Sequence, residues 1–207
     1  MIVGTLILNP TKESIISLAK GKFDFLLLDF QHSAFTWETA DFVIETIYKY
    51  TNKKIWIRVA HNNFSDINRA YDIGADAVVV PLINTMKDLK NCIDAARYKP
   101  IGNRSWGPVR LRENYNSYED YFKNAHAKQL LFPQIESLEG LNNLSEMCTH
   151  NGWDGVMIGP SDLAISMGEV PNFPPKSQLV KDKMEEIINI CKNNNKIPGL
   201  FAGSLDV

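Results

Sequence analysis

Seven short, almost wholly apolar runs, separated by stretches with helical spacing, constrain this chain more than any other feature. The runs are Ile2–Leu8, Phe25–Asp29, Ile55–Val59, Ala77–Pro81, Leu130–Glu136, Gly155–Gly159 and Pro198–Ala202. Runs of this length and character read as strands buried on both faces. The intervening stretches carry helix-start signals. Thr11 precedes Ile15, Leu18 and Ala19, and Thr36 precedes Ala40, Val43, Ile44 and Ile47. Ser65 precedes Ile67, Ala70 and Tyr71, with Gly74 as the stop. Thr85 and Asp88 form a capping-box pattern, and Ser177 opens a long helix carrying Val180, Met184, Ile187, Ile188 and Cys191. Repeated strand–helix units predict an α/β fold with a parallel sheet and helices outside it. A (β/α)₈ TIM-type barrel is the first choice. An open doubly wound sheet is second, because the first turn, Leu8-Asn9-Pro10-Thr11, has no glycine-rich dinucleotide fingerprint. Seven strands do not close an eight-stranded barrel, and the sequence stops directly after the seventh. The expectation is one TIM-barrel domain over residues 1–207 that lacks its last strand and helix, or whose gap another subunit covers.

Composition narrows the function. The 207 residues are 44% hydrophobic and 22% charged, enough for a sizeable core. A net charge of -2 does not suggest a polyanion-binding surface, so no nucleic-acid partner is expected. No apolar run approaches the ~20 residues that span a membrane. The start lacks a basic leader and a cleavage signature, so it reads as a strand rather than a signal peptide. Cys92, Cys148 and Cys191 fit neither a disulfide frame nor a zinc motif, which points to core packing in a reducing cytoplasm.

Polar residues at the carboxyl ends of buried strands carry the functional signal, because that end of a barrel is where its chemistry resides. Asp29 ends the second run, with Gln31 and His32 following. Arg58 lies on the third, two residues from Trp56 and therefore on the same face. Gln134 and Glu136 share a face of the fifth, and Asp162 follows the sixth after Gly159-Pro160-Ser161. Glu136 and Asp162 together make a hard, oxygen-rich site for a divalent metal. Each residue also has a plainer reading: Asp29, Glu136 and Asp162 as caps, Arg58 as a salt-bridge partner, Gln134 as a core hydrogen-bonder. Asp29 and His32 read as an acid–imidazole pair in which the carboxylate fixes the tautomer. His61, His126 and His150 read as solvated. The strand interiors hold no lysine, which argues against Schiff-base chemistry. No Gly-Lys-Ser/Thr phosphate loop is present. Arg104 and Trp106 in the long connection Lys99–Ser117 read as a packed loop or a substrate lid. Gly168–Lys176 reads as a second loop on the same face.

Taken in order, Phe23–His32, Ile57-Arg58-Val59, Gly74–Pro81, Arg97–Ser105, Gln134-Ile135-Glu136 and Gly155–Leu163 resemble the HpcH/HpaI aldolases, relatives of the citrate lyase β-subunit. The resemblance covers nearly the whole chain. It implies a (β/α)₈ barrel that binds Mg²⁺, Mn²⁺ or Co²⁺ through Glu136 and Asp162. Pyruvate would chelate that metal, helped by Gln134 and the backbone around Gly159, Pro160 and Ser161. Arg58 would sit over the keto or enolate oxygen. His32, oriented by Asp29, would manage the proton through a water on the metal. The reaction implied is retro-aldol cleavage of a 4-hydroxy-2-oxoacid, either a 4-hydroxy-2-oxo-dicarboxylate or a 2-keto-3-deoxy sugar acid, to pyruvate and an aldehyde. A citrate-lyase-like acyl-CoA lyase and a non-catalytic oxoacid-binding barrel are the alternatives. The family is also commonly a homo-oligomer that swaps its last helix. Gln31-His32-Ser33 stands where many members have Glu-His-Gly. Acceptor specificity is expected in Ser33–Trp37 and Gly102–Arg112.

Overall fold

The computed structural model describes residues 1–8, 10–108 and 115–202. Asn9 of the first turn, the part of the Gly102–Arg112 loop beyond Pro108 and the side chain of His126 lie outside the described residues. Seven strands form one sheet in chain order: β1 (Gly4–Ile7), β2 (Phe25–Asp29), β3 (Lys54–Arg58), β4 (Ala77–Val80), β5 (Leu130–Ile135), β6 (Gly155–Ile158) and β7 (Ile197–Leu200). Every neighbouring pair is parallel. The helices between them are α1 (Lys12–Lys20), α2 (Trp37–Tyr50), α3 (Phe64–Asp72), α4 (Met86–Ala96), α5 (Tyr118–Lys128), α6 (Leu138–Met147), α7 (Pro160–Ser166) and α8 (Gln178–Asn193). Among the described residues the seven-stranded sheet curls as in a TIM-type barrel, as the alternation predicts.

Strand alternation divides the buried side chains into two cores. Leu26, Leu28, Ile55, Ile57, Val78, Val80, Leu131, Ile135, Val156 and Ile158 face outward and pack against the helices. Leu27, Ala77, Val79, Phe132 and Met157 face inward, joined by Phe25, Trp56, Leu130 and Phe201. Burying each large side chain of either core contributes about 2 kcal/mol. Inside the barrel Phe25 stacks on Trp56 at 4.1 Å, and Trp56 leans on Phe132 at 4.7 Å. Two glycines make room for these rings. A Cβ on Gly4 would overlap the Phe25 ring, and one on Gly155 would overlap Phe132 and the carbonyl of Ile197. The amino-terminal half of the barrel is thus filled with rings, and only its carboxyl end is left for polar groups. The edge strands are less covered: Leu6 on β1 and Ile197 on β7 are exposed.

Most helix starts agree with the sequence reading. Thr11, Thr36 and Thr85 each accept a hydrogen bond from the third residue of the helix, and Asp88 closes the capping box on Thr85. Ser65 is a correction: Asn63 caps α3, its side chain accepting from the Asp66 N–H, and Ser65 lies within the first turn. Helix α5, opened by Ser117, was not expected from the pattern. Its register is weakly amphipathic, so periodicity gives it little signal.

Candidate active site

β2 and β3 bring Asp29 and Arg58 side by side, since the two are register partners. Both are buried. Arg58 donates from Nε to Asp29 Oδ1 at 2.8 Å and from Nη2 to Oδ2 at 2.6 Å. The guanidinium also lies over the ring of Phe201, 4.7 Å away. Arg58 is therefore held on one edge and one face, while Nη1 makes no hydrogen bond among the described residues. Burial pushes the Asp29 carboxyl up. The hydrogen bond and charge of Arg58, with the Gln31 and His32 N–H groups, outweigh it and hold the carboxyl below the usual carboxylate range.

This arrangement corrects the expected Asp29–His32 pair. The Asp29 carboxylate is filled by Arg58 and by backbone N–H groups, so it reaches His32 through the peptide and not through the imidazole. The His32 side chain is exposed at the mouth. Its loop is pinned by Ser33, whose hydroxyl donates to the Asp29 carbonyl and accepts from the Phe35 N–H. Ser33 thus ties down the loop that carries the imidazole.

On the opposite strands, Gln134 and Glu136 are 1% and 2% exposed. Glu136 Oε1 accepts from the backbone N–H of Leu82 at 2.8 Å, and Oε2 accepts from Gln134 Nε2. Gln134 Oε1 is buried with no hydrogen-bond partner. Burial, reinforced by the charge of Asp162, pushes the Glu136 carboxyl up despite its two donors and Arg58. Glu136 is not a helix cap, because Ser137 caps α6. Gly159 caps α7 without a side-chain bond, with Pro160 next. A Cβ on Gly159 would stand 2.5 Å from Glu136 Oε2 and 2.9 Å from Gln134 Nε2, so only glycine fits beside this pair. Asp162, exposed in the first turn of α7, lies near enough for its charge to act on Glu136.

These groups fit a divalent cation by their chemistry. Among the described residues no three His, Cys, Asp or Glu side chains cluster. The protein offers two carboxylates and one unpartnered buried amide oxygen, all hard oxygen donors. The buried carboxylate also has a raised proton affinity that a cation would replace.

The remaining candidates lie elsewhere. Arg104 is buried and donates to Gln129, Asp72 and the Tyr121 hydroxyl, with the Tyr71 and Tyr98 rings 4.9 and 4.8 Å away. Gln129 immediately precedes β5, so this network sits at the amino ends of the strands. The substrate-lid reading of Arg104 fails for that reason. The Lys99–Pro108 segment is packed against α3 and α4 at the end opposite the site. His61 is exposed; His150 is half-buried beside the Thr149 hydroxyl. Leu82 and Phe201 were not singled out in the sequence. Period-2 spacing from Gly199 would have aimed Phe201 inward, but nothing local marks the Leu82 N–H.

A TIM-type barrel with its polar groups gathered at the carboxyl ends of the strands is the architecture of a barrel enzyme. The profile of the HpcH/HpaI aldolase/citrate lyase family matches residues 7–202, and the chain belongs to that family of carbon–carbon lyases. It is 30% identical over 188 residues to the 4-hydroxy-2-oxo-heptane-1,7-dioate aldolase of Shigella boydii serotype 18, covering 90% of this chain and 71% of that protein. Two crystal structures share the fold. The HpcH/HpaI aldolase from Desulfitobacterium hafniense has a TM-score of 0.87 at 18% identity, covering 99% of this chain and 79% of that one. A family protein from Burkholderia cenocepacia has a TM-score of 0.87 at 22% identity, covering 98% and 80%.

Proposed function

We propose that this chain cleaves a 4-hydroxy-2-oxoacid to pyruvate and an aldehyde, using Mg²⁺, Mn²⁺ or Co²⁺. The observation that carries this reading is the opposition, across one barrel mouth, of a buried oxygen-donor set and a guanidinium with a free edge. Glu136 and Asp162 would hold the cation, with the unpartnered Gln134 Oε1 beside them. When bound, it supplies a Lewis acid that draws electron density from the substrate carbonyl.

The protein groups account for the rest of the chemistry. His32 takes the proton of the C4 hydroxyl. The C3–C4 bond breaks, the aldehyde leaves, and the electron pair flows onto the C2 oxygen as pyruvate enolate. Arg58 faces that oxygen with Nη1, and its clamp of Asp29 and Phe201 keeps it from reorganising as charge develops. The proton returns to C3, completing pyruvate. The first N–H groups of α7, at Ser161 and beyond, have no partners within the helix and suit the pyruvate carboxylate. His32 is exposed, which suits a proton carrier in contact with water.

The sequence relatives named as aldolases support the same reaction. The three unpaired cysteines fit a cytoplasmic setting, and no helix among the described residues is long and apolar enough to cross a membrane. Exposed apolar residues on the edge strands β1 and β7 support assembly into a homo-oligomer.

Exchange of the pyruvate methyl protons with D₂O, followed by NMR, tests the half-reaction without knowledge of the aldehyde. Exchange that requires Mn²⁺ or Mg²⁺ and stops with EDTA is expected. A protein that melts cooperatively yet gives no exchange would refute the reading.

A further inference from the structure

An apolar residue whose backbone touches the carboxylate site is also in an unfavourable conformation. Leu82, two residues beyond the end of β4, has φ of 58°, the left-handed region that glycine and asparagine tolerate and leucine resists. Its side chain is 56% exposed, so burial of the side chain does not explain the conformation. The N–H does have a use: it donates to Glu136 Oε1 at 2.8 Å.

The neighbours of Leu82 hold the turn in place. Pro81 and Ile83 on either side are buried. The Ile83 N–H donates to the Gln134 carbonyl at 3.2 Å. The Asn84 carbonyl accepts from Asn143 at 2.8 Å, and Ser137 bonds to Asn84 Oδ1. Gly140 packs so closely under the Ile83 carbonyl that a Cβ would stand 2.7 Å from it. An uncommon backbone conformation persists where its surroundings over-determine it, and such residues gather at functional sites.

Resting on the function proposed above, we infer that Leu82 is a positioning residue for Glu136. Its left-handed turn aims an amide at Oε1 and so fixes the carboxylate rotation. Oε2 is left on the side of Gly159 and Gln134, where the cation would be held. The determinant is the backbone conformation and not the leucine side chain.

Tolerance of the left-handed region separates these two roles. Leu82→Gly and Leu82→Asn keep the N–H and ease the turn; Leu82→Val keeps an apolar side chain but resists it most, being β-branched. Mn²⁺ binding is read by electron paramagnetic resonance of the free ion, alongside thermal melting of the EDTA-treated protein. Glycine and asparagine variants are expected to bind Mn²⁺ within about twofold of the parent chain, and the valine variant about tenfold more weakly. Glycine binding weakly while valine binds normally would show that the side chain matters instead and overturn the proposal. Equal binding by all three variants would overturn it as well. Should the parent chain itself bind no Mn²⁺, the metal reading fails first and takes this inference with it.

Discussion

Replacing Asp29 with asparagine tests the clamp on which the proposed role of Arg58 depends. In the parent chain both partners are buried, at 1% and 7% exposure, and share two hydrogen bonds of 2.8 and 2.6 Å. Asparagine preserves the shape but removes the charge. Its one oxygen can accept from Nε or from Nη2, while its amide group points a donor at the other nitrogen. Removing one partner of a buried ion pair costs about 3–5 kcal/mol, because the survivor stays buried and uncompensated. The Phe201 ring lies over the cation in parent and variant alike and so cancels from the difference, while the asparagine oxygen keeps one of the two hydrogen bonds, which places the loss at the lower end of that range. A net loss of about 3 kcal/mol follows, equivalent to a fall in Tm of roughly 6–12 °C for a domain of this size. Urea unfolding at pH 7 in EDTA measures it.

The pH dependence has a definite sign. The Asp29 carboxyl is held below its ordinary value, so the stability it contributes is present above the unfolded carboxylate value of about 4. That stability is lost as pH falls through the lowered folded value. The gap between parent and Asp29→Asn therefore narrows below about pH 4. Making both partners apolar, Asp29→Leu with Arg58→Met, is expected to recover most of the loss. A loss under about 1 kcal/mol at pH 7, or a gap that persists unchanged to about pH 3, would refute the reasoning.

Glu136→Ala is expected to abolish metal-dependent pyruvate exchange while leaving the protein folded by circular dichroism; full activity in that variant would remove the site. Gly159→Ala places a methyl 2.5 Å from Glu136 Oε2, and Mn²⁺ titration is expected to show binding weakened by more than tenfold. Arg104→Ala leaves Asp72 and the tyrosine cage without their cation. Denaturant unfolding should show a loss of about 3 kcal/mol, with kcat and KM unchanged at low temperature because the network is at the opposite end of the barrel. Gly4→Ala should lower stability by about 1–3 kcal/mol through overpacking against the Phe25 ring, again read by denaturant unfolding.

The strands show how far the sequence reached. Phe25–Asp29 is read to the residue, and the other six agree to within two residues at each end. Strand ends blur because hydrogen bonding decides them, and composition does not. The helix caps at Thr11, Thr36 and Thr85 were legible because a short hydroxyl before an amphipathic run has one favourable use. Asn63 was missed in favour of Ser65 because both residue types cap well, and only the chain path decides between them.

Sequence alone determined the alternation that makes a parallel barrel, and which polar residues stand at the carboxyl ends of its strands. Both follow from spacing, since side chains two apart on a strand share a face. Tertiary structure alone decided which of those residues bind one another. Asp29 stands three residues from His32 and twenty-nine from Arg58, yet it pairs with Arg58, because register sets β2 and β3 side by side. The Leu82 amide found Glu136 in the same way, across 54 residues. Arg104 was carried to the far end, because the direction of a parallel strand fixes which loops face the site. Partner choice in a buried site is a property of register and chain direction, and neither is written in local sequence.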